Sequence, residues 1–382
     1  MYFFLTVKRT FLISIIFILI ICIFSITLYN NFKALPTIFI SDEHQNMIEE
    51  IFLIRNNAFL ENDWETLESL YNKDTKLGIW AYEHQTIKMK YLHNWADKQG
   101  IVFNDINTKV VIRHIKDTES GYQYNLVGST EYKYSYINEP EIENLFRIGT
   151  YHSLNLEKKG GKWLISKEWY TDPFADSLNL DNIKTEEFKE FVLNSKPADL
   201  SNINSRRISA VEYADKYCGA AASEEYRYSY NKKYKDYNPL GGDCANFASQ
   251  ILHEGGGFKK DYTWKYEKEG SKAWVNAQAF KDYMLYSGRG SLITRGTYNQ
   301  VFKNSFKLLP GDFIAYEKKG KVTHISVVTG IDSKGYALVN CHNTDRYRVP
   351  WDLGWSDKGI VFWLVRVNYW LIIKKTNTPS HL

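Results

Sequence analysis

The stretch Gly241–Gly257, GGDCANFASQILHEGGG, predicts a short helix that carries a cysteine at its first position. Asp243 is a favourable N-cap and Gly255 a favourable C-terminal stop, so the helix is expected to begin at Cys244. The backbone N–H groups at a helix start stabilise a thiolate, which favours a cysteine pKa below about 8.5. Helical periodicity places the thiol on an inward face with three apolar residues, Phe247, Ala248 and Ile251.

A cysteine nucleophile needs a base, and the predicted base is His324 in the segment GKVTHISVVTG. The alternation of this segment predicts a β-strand in which His324 shares a face with Val322, Ser326 and Val328. A polar imidazole in such an apolar strand needs a partner or a role. The alternative interpretations are a structural histidine and a cysteine that serves as a small buried apolar side chain.

The next strand, within YALVNCHN at 336–343, contains two candidates for the residue that orients the base. Alternation places Asn340 and His342 on one face and Cys341 on the other, so either of the first two could reach His324 from a neighbouring strand. Same-face residues lie about 6.6 Å apart along a strand, so one of them at most should bond the imidazole. We predict that His342 orients His324, with Asn340 as the alternative.

The composition is that of a folded protein and gives no reason to expect a nucleic-acid partner. Of the 382 residues, 44% are hydrophobic and 24% are charged, and the net charge of +4 is spread along the chain without a basic block. Of the four cysteines, Cys22 lies in an apolar N-terminal run, which leaves an odd number of thiols in the rest of the chain.

That apolar run, Phe11–Tyr29, predicts a transmembrane helix within an anchor formed by residues 1–30. It carries no charge and matches the roughly 20 residues that a helix needs to cross a bilayer. Lys8 and Arg9 before it favour a cytoplasmic N-terminus, so the remainder is expected to be extracellular. A cleaved signal peptide and a lipid anchor at Cys22 are the alternatives.

Beyond the anchor, the sequence predicts two α+β domains joined by a polar linker. Residues 41–176 show helical periodicity and then β-branched and aromatic runs, which indicates helices followed by a curved antiparallel sheet. This order resembles the cone-like nuclear transport factor 2-like domains. Residues 177–205 are the predicted linker, and residues 206–370 are the second domain, in which helices precede strands.

The ordered motifs of the second domain resemble the bacterial amidase domain family, within the papain-like group that includes NlpC-type and CHAP cell-wall peptidases. The motifs are GGDCANFASQILHEGG, KAWVNAQAFKDYM, LPGDFIAYE, THISVVTG and LVNCHNTDR. The resemblance implies a papain-like α+β domain with the catalytic helix packed on an antiparallel sheet. It also implies a Cys–His hydrolase of amide bonds that needs no cofactor. The implied catalytic residues are Cys244, His324 and either His342 or Asn340.

The anchor and this resemblance together predict an extracellular, membrane-anchored cysteine amidase or peptidase that acts on cell-wall peptides or another amide. An inactive binding protein on the same fold and an acyltransferase that uses the same thioester are the alternatives. The intact Cys244 and His324 favour an enzyme.

Substrate contacts are expected around the helix start. The tyrosine-rich segment 226–239 is predicted to form an aromatic rim there. The candidate substrate-binding residues are Tyr237, Asp243 and Trp274. A zinc site is a further alternative, although no close-spaced ligand pair supports it. Its ligands would be Cys244, His324, His342 and Asp312.

Overall fold

The computed structural model describes residues 42–172, 174, 186–355 and 359–370. The chain divides into two compact units, Met1–Gln45 and Asn46–Leu382, and the contacts discussed below lie in the second. The predicted membrane anchor lies outside the described residues, as does the start of the predicted linker. None of the helices in the described ranges is both long and apolar enough to span a membrane.

The first half of the second unit consists of helices followed by strands. Asp63 caps α2 by accepting a hydrogen bond from the Thr66 N–H, and Thr75 caps α3 through the Gly78 N–H. Gly100 ends α3 in a left-handed conformation with a φ of 69°. The elements are α1 (Asp42–Glu61), α2 (Trp64–Ser69), α3 (Lys76–Gln99), β1 (Ile101–Thr118), β2 (Gly121–Tyr136), β3 (Glu139–Lys159) and β4 (Lys162–Tyr170).

The second half begins with helices, and most of its strands come after them. The predicted helix at Cys244 is present as α6 and continues into a π-helical turn, Ile251–Gly255. The elements are α4 (Glu186–Leu193), α5 (Ser205–Tyr217), α6 (Cys244–Gln250), α7 (Lys272–Val275), α8 (Ala277–Tyr286), β5 (Gly290–Gly296), α9 (Tyr298–Ser305), β6 (Phe313–Lys318), β7 (Lys321–Ile331), β8 (Ala337–Cys341), β9 (Asp345–Pro350) and β10 (Ile360–Val367).

The ten strands in the described ranges belong to one sheet, so the fold is a mixed α+β arrangement around a large antiparallel sheet. The strand order is β1-β2-β3-β9-β8-β7-β6-β10-β5, and β4 pairs with the outer part of β3. The two halves join where β3 pairs with β9, from Arg147 opposite Tyr347 to Gly149 opposite Asp345. A Cβ atom on Gly149 would overlap Ala220, so glycine allows the close approach at this junction.

Helix α6 lies against β7 and β8, and α8 lies against β7. Cys244 and Phe247 share an apolar cluster with Ile325 and Val327 of β7. Every residue of α6 is buried, including the polar ones. The sheet therefore holds the helix start deep inside the fold.

Candidate active site

Two glycines shape the chain just before Cys244. Gly241 and Gly242 have φ values of 110° and 136°, a region that side chains with a Cβ rarely adopt. A Cβ on Gly242 would also overlap the side chain of Asn343. The next residue, Asp243, donates its backbone N–H to the Asn343 side-chain oxygen. This turn brings Cys244 to the first position of α6, as predicted.

The Cys244 thiol is held in its neutral form. It is 6% exposed, and burial raises its pKa to about 12. The backbone N–H groups of Ile325 and Ala245 interact with the sulfur and oppose this rise without overcoming it. The expected depression of the thiol pKa is therefore wrong for this structure, because desolvation outweighs the favourable field of a seven-residue helix.

We expect alkylation to reveal this protonated state. The rate at which iodoacetamide modifies Cys244 should rise about tenfold per pH unit from pH 7 to pH 10, because the reactive thiolate remains a minor species below the raised pKa. Peptide mass spectrometry distinguishes Cys244 from the other buried thiols, Cys218 and Cys341. A rate that is already constant above pH 7 would contradict this and indicate a pre-formed thiolate.

His324 lies on β7 directly before Ile325, the residue whose N–H faces the thiol. The Cα of His324 is therefore two covalent bonds from the backbone nitrogen of Ile325. The imidazole is 7% exposed, and its Nε2 has no hydrogen-bond partner among the described residues. Burial, aided by the charge of Arg346, lowers the His324 pKa to about 3. The ring is thus neutral at physiological pH, and in this environment it is a weaker base than a free imidazole.

The ring of His324 and the apolar side chains beneath α6 lie on opposite sides of β7. His324 pairs with Tyr316 across the sheet, whereas Ile325 pairs with Ala315. The His324 ring lies 5.5 Å from the ring of Tyr316 and 5.3 Å from that of Trp355, centroid to centroid. The Cys244 sulfur thus contacts the β7 backbone next to His324, whereas the imidazole of His324 points to the other side of the sheet, toward Tyr316 and Trp355.

Asn340 does not share a face with His324, so this part of the prediction is wrong. The register pairs Asn340 with Val327, which belongs to the α6 side of the sheet. The Asn340 amide donates to Asp215 Oδ1 at 2.9 Å, and its oxygen accepts from Thr329 Oγ1 at 2.6 Å and from the Arg348 N–H at 2.7 Å. Asn340 therefore links β8 to α5 and β9.

Cys341 follows Asn340 and points to the opposite side of the sheet by alternation, which is the side of His324. Its thiol is buried and interacts with Ser326 and the charge of Arg346. Burial nevertheless raises the Cys341 pKa, and no helix begins at this residue. Cys341 is therefore the second thiol that experiments on this site must distinguish from Cys244.

His342 is also engaged away from His324, which corrects its predicted orienting role. Its Nδ1 lies 2.5 Å from Asp243 Oδ2, and its Nε2 lies 2.8 Å from the Tyr217 carbonyl oxygen. The ring is stacked between Tyr230 and Phe247, with centroid distances of 3.8 and 3.7 Å. Both nitrogens face acceptors, so an imidazolium that donates two hydrogen bonds satisfies this environment. Neither nitrogen is left for His324.

The pKa of His342 agrees with this arrangement. Burial favours the neutral ring, but the hydrogen bond and charge of Asp243, assisted by Asp345, outweigh burial and raise the pKa above its usual value. His342 therefore forms a buried ion pair with Asp243 beneath the start of α6.

We expect this ion pair to stabilise the fold in a pH-dependent way. A histidine whose pKa is raised by folding contributes fully below the unfolded pKa of about 6.5, and its contribution falls as pH rises through the folded-state pKa. At pH 6, His342→Ala should lower the free energy of unfolding by about 3–5 kcal/mol, because it leaves a buried carboxylate unpaired. Urea unfolding at pH 6 and pH 9 measures both effects.

The matched control is His253→Ala, which removes a half-buried histidine whose Nδ1 contacts the Phe258 carbonyl. This control should cost less and should not reproduce the pH dependence. A loss of stability at His342 that stays the same at both pH values would contradict the ion pair.

The three predicted substrate-binding residues are structural in this fold. Asp243 is buried, and instead of capping α6 its Oδ1 accepts from the Tyr237 N–H at 3.0 Å and from the Asn246 amide at 2.8 Å. The Tyr237 hydroxyl accepts from the Gly270 N–H at 3.0 Å. Trp274 is 0% exposed, and its indole N–H donates to Asn246 Oδ1 at 2.9 Å.

The predicted zinc ligands do not form a metal site. Asp312 forms a salt bridge with Arg207 at 2.8 Å, and His342 is bound to Asp243. In the described ranges, no group of three or more His, Cys, Asp or Glu side chains is arranged to hold a metal ion.

A cleft of about 830 Å³ opens beside the start of α6. One wall comes from segment 229–242, which includes Tyr230, Gly241 and Gly242, and Asn343–Asp345 lie next to it. The opposite wall comes from β3 and β4 and includes Tyr151 and Trp169. The sequence predicted an aromatic rim at 226–239 but missed the second wall, because strand alternation does not show which distant segment faces the cleft.

Two solved structures are similar to parts of the chain, at low overall similarity. The intermembrane space region of chloroplast protein ARC6 has a TM-score of 0.24 and 13% identity, covering 35% of this chain and 95% of that one. A "putative ca/calmodulin-dependent kinase ii association domain" from Exiguobacterium sibiricum 255-15 has a TM-score of 0.21 and 12% identity, covering 34% and 92%.

Two curated relatives come from Bacillus subtilis (strain 168), and both are named as uncharacterized proteins. YhbB is 29% identical over 153 residues, which is 38% of this chain and 43% of YhbB. YjcM is 32% identical over 195 residues, which is 46% of this chain and 44% of YjcM. The chain thus spans less than half the length of these relatives. Residues 204–365, which include Cys244, His324 and His342, match the family model described as "Putative amidase domain".

Proposed function

We propose that this protein is a cysteine hydrolase of amide bonds, with Cys244 as the nucleophile and His324 as the general base. One observation carries the proposal. Within the region that matches an amidase family, a buried thiol at a helix start contacts the backbone N–H next to a neutral histidine with an unpartnered ring nitrogen. A nucleophile, a proton acceptor and backbone donors are the parts that acyl transfer requires.

In the proposed reaction the proton moves as the sulfur attacks, because both groups are neutral at rest. The Cys244 sulfur forms a bond to the amide carbon while its proton passes through a bridging water to His324, because the imidazole lies on the other side of β7. The N–H groups of Ile325 and Ala245, which face the sulfur, are the nearby donors for the developing negative charge. His324 then protonates the leaving amine, and the C–N bond breaks to leave a thioester. Water, deprotonated by His324, cleaves the thioester and restores the thiol.

In the wider proposal, the hydrolase domain has a papain-like fold and lies outside the cell. The apolar segment Phe11–Tyr29 anchors it to the membrane, and its substrates are cell-wall peptides. This wider proposal rests on the sequence of the anchor and on the family resemblance. The region 41–176 is proposed to be a nuclear transport factor 2-like domain, and its order of three helices followed by antiparallel strands with register shifts supports this proposal.

A non-catalytic binding protein is the second candidate function. The high thiol pKa and the small exposure of Cys244 favour it, because a buried protonated cysteine is ordinarily inert. The two candidates differ in one respect: an enzyme must form a covalent acyl-sulfur intermediate at a single cysteine.

The test is digestion of purified cell wall by the full-length chain, with mass spectrometry of the released fragments and of the protein. The proposal expects new amine and carboxylate ends and an acyl adduct on Cys244 that hydroxylamine removes. Cys218→Ser is the matched control, since Cys218 is also buried but follows a helix instead of beginning one. Absence of cleavage and of any adduct would support the binding protein.

A further inference from the structure

We infer that the cleft beside α6 is a saccharide-binding subsite, in which Trp169 and Tyr151 of the first half of the unit hold a sugar chain attached to the scissile amide. This inference rests on the proposed function and specifies its substrate class. It assigns substrate selection to residues outside the 204–365 region that matches the amidase family.

The two aromatic side chains form an exposed surface along one wall of the cleft. Trp169 is 65% exposed and Tyr151 is 50% exposed. Trp169 pairs with Ser153 across β3 and β4, and Tyr151 lies two residues before Ser153, so both rings are on the same face of the sheet. Exposing an indole to water is unfavourable, and aromatic groups placed this way in a cleft are typical of binding sites.

The rest of the lining suits a neutral, hydroxyl-rich ligand. Its polar side chains include three amides, Asn231, Asn238 and Asn343. Each amide already makes one or two hydrogen bonds within the protein, which leaves further donor and acceptor positions for a ligand. The Asp345 carboxylate already accepts hydrogen bonds from the Tyr230 hydroxyl at 2.5 Å and from the Ala220 N–H at 2.7 Å. The remaining charged residues of the lining, Lys232 and Asp236, have opposite signs.

A sugar ring matches this combination of groups. Its axial C–H groups carry a small positive charge and are attracted to the negative face of an indole or phenol ring, while its hydroxyl and acetamido groups bond to amide side chains. An anionic ligand would find no net positive charge in the lining, because Lys232 is offset by Asp236 and Asp345.

The cleft comes within two residues of Cys244, which does not itself line it. Gly242 lines the cleft and precedes Cys244 by two residues, so their Cα atoms are at most about 7.6 Å apart. Asn343, also in the lining, accepts the Asp243 N–H and fixes this turn. A sugar chain on the Trp169 wall would therefore present an attached amide near the start of α6.

The experiment measures binding without catalysis, using the full-length Cys244→Ala chain. The probe is an uncharged β-1,4-linked hexamer of N-acetylglucosamine, titrated by calorimetry. We expect binding that weakens at least about tenfold when Trp169→Ala is added, because the stacking surface is lost. The control is Trp80→Ala, another exposed tryptophan that does not line the cleft, which should stay within about twofold.

Several outcomes would overturn the inference. The first is no detectable binding of the hexamer. The second is that the chains carrying Trp169→Ala and Trp80→Ala bind the hexamer with equal affinity. The third is that a peptide without sugar binds in a Trp169-dependent way while the hexamer does not. Because the nucleophile is absent from every chain used, failure of amide hydrolysis cannot produce these results. Conversely, the unsubstituted chain, which retains Cys244, could fail to hydrolyse amides while the Cys244→Ala chain binds the hexamer. That result would reject the proposed function and leave the saccharide subsite supported.

Discussion

Cys244→Ser is expected to lower kcat/KM for amide hydrolysis on the order of 10⁴-fold or more, with little change in stability. The hydroxyl oxygen is a far weaker nucleophile than sulfur, and the buried site offers a neutral imidazole rather than a stronger base to activate it. The substitution keeps the size of the side chain and its place at the start of α6. Steady-state kinetics and a urea unfolding curve of the same preparation separate loss of chemistry from loss of fold.

Cys341→Ser is the decisive companion, because Cys341 points to the same side of the sheet as His324. The proposed mechanism expects this variant to retain activity within a few-fold of the parent. If Cys341→Ser abolished turnover while Cys244→Ser did not, the nucleophile would be Cys341 and the assignment of Cys244 would be wrong. An acyl adduct mapped to one thiol provides the same distinction without kinetics.

His324→Ala is expected to reduce kcat by about 10²–10⁴-fold and to leave KM nearly unchanged, because it removes the proton acceptor without touching the cleft. Its stability should not fall as far as that of His342→Ala, because His324 Nε2 makes no hydrogen bond in the described part of the chain. Added imidazole should restore part of the activity. Rescue of this kind reports a missing base, which a purely structural histidine would not show.

The control is again His253→Ala, which should keep full activity. Retention of activity by His324→Ala would reject its role as base. A stronger loss in His342→Gln than in His324→Ala, at unchanged stability, would instead assign the proton transfer to the His342–Asp243 pair. These three histidine variants therefore identify the base whichever of the two buried imidazoles performs the chemistry.

Local features of the site were predictable from the sequence because they depend on neighbouring residues. The start of α6 at Cys244 follows from the glycine turn before it, although the Asp243 side chain does not cap the helix. The strand that carries His324 follows from its alternating side chains. The same holds for the order of helices before strands in the first half of the unit.

The relation between His324 and Asn340 was decided by the register of β7 against β8. Beyond the shift between Val328 and Gly330, the strands pair Gly330 with Leu338. If that register continued, Asn340 would lie opposite Val328 and on the His324 side. The shift moves Asn340 opposite Val327 and so to the other face. A displacement of one residue reverses every side chain, and the alternation of a single strand contains no information about it.

Burial was the second property that only the tertiary structure decided. The sequence by itself determined that a cysteine begins a helix, which favours a thiolate, and that tyrosines and tryptophans surround it. Packing of the helix on the sheet desolvates Cys244 and raises its pKa, encloses Trp274, and gives His342 a carboxylate partner from the start of α6. Packing also exposes Trp169 and Tyr151 in the cleft. Desolvation and the meeting of distant walls depend on which segments approach in space, so they follow from the assembled fold and not from any local stretch.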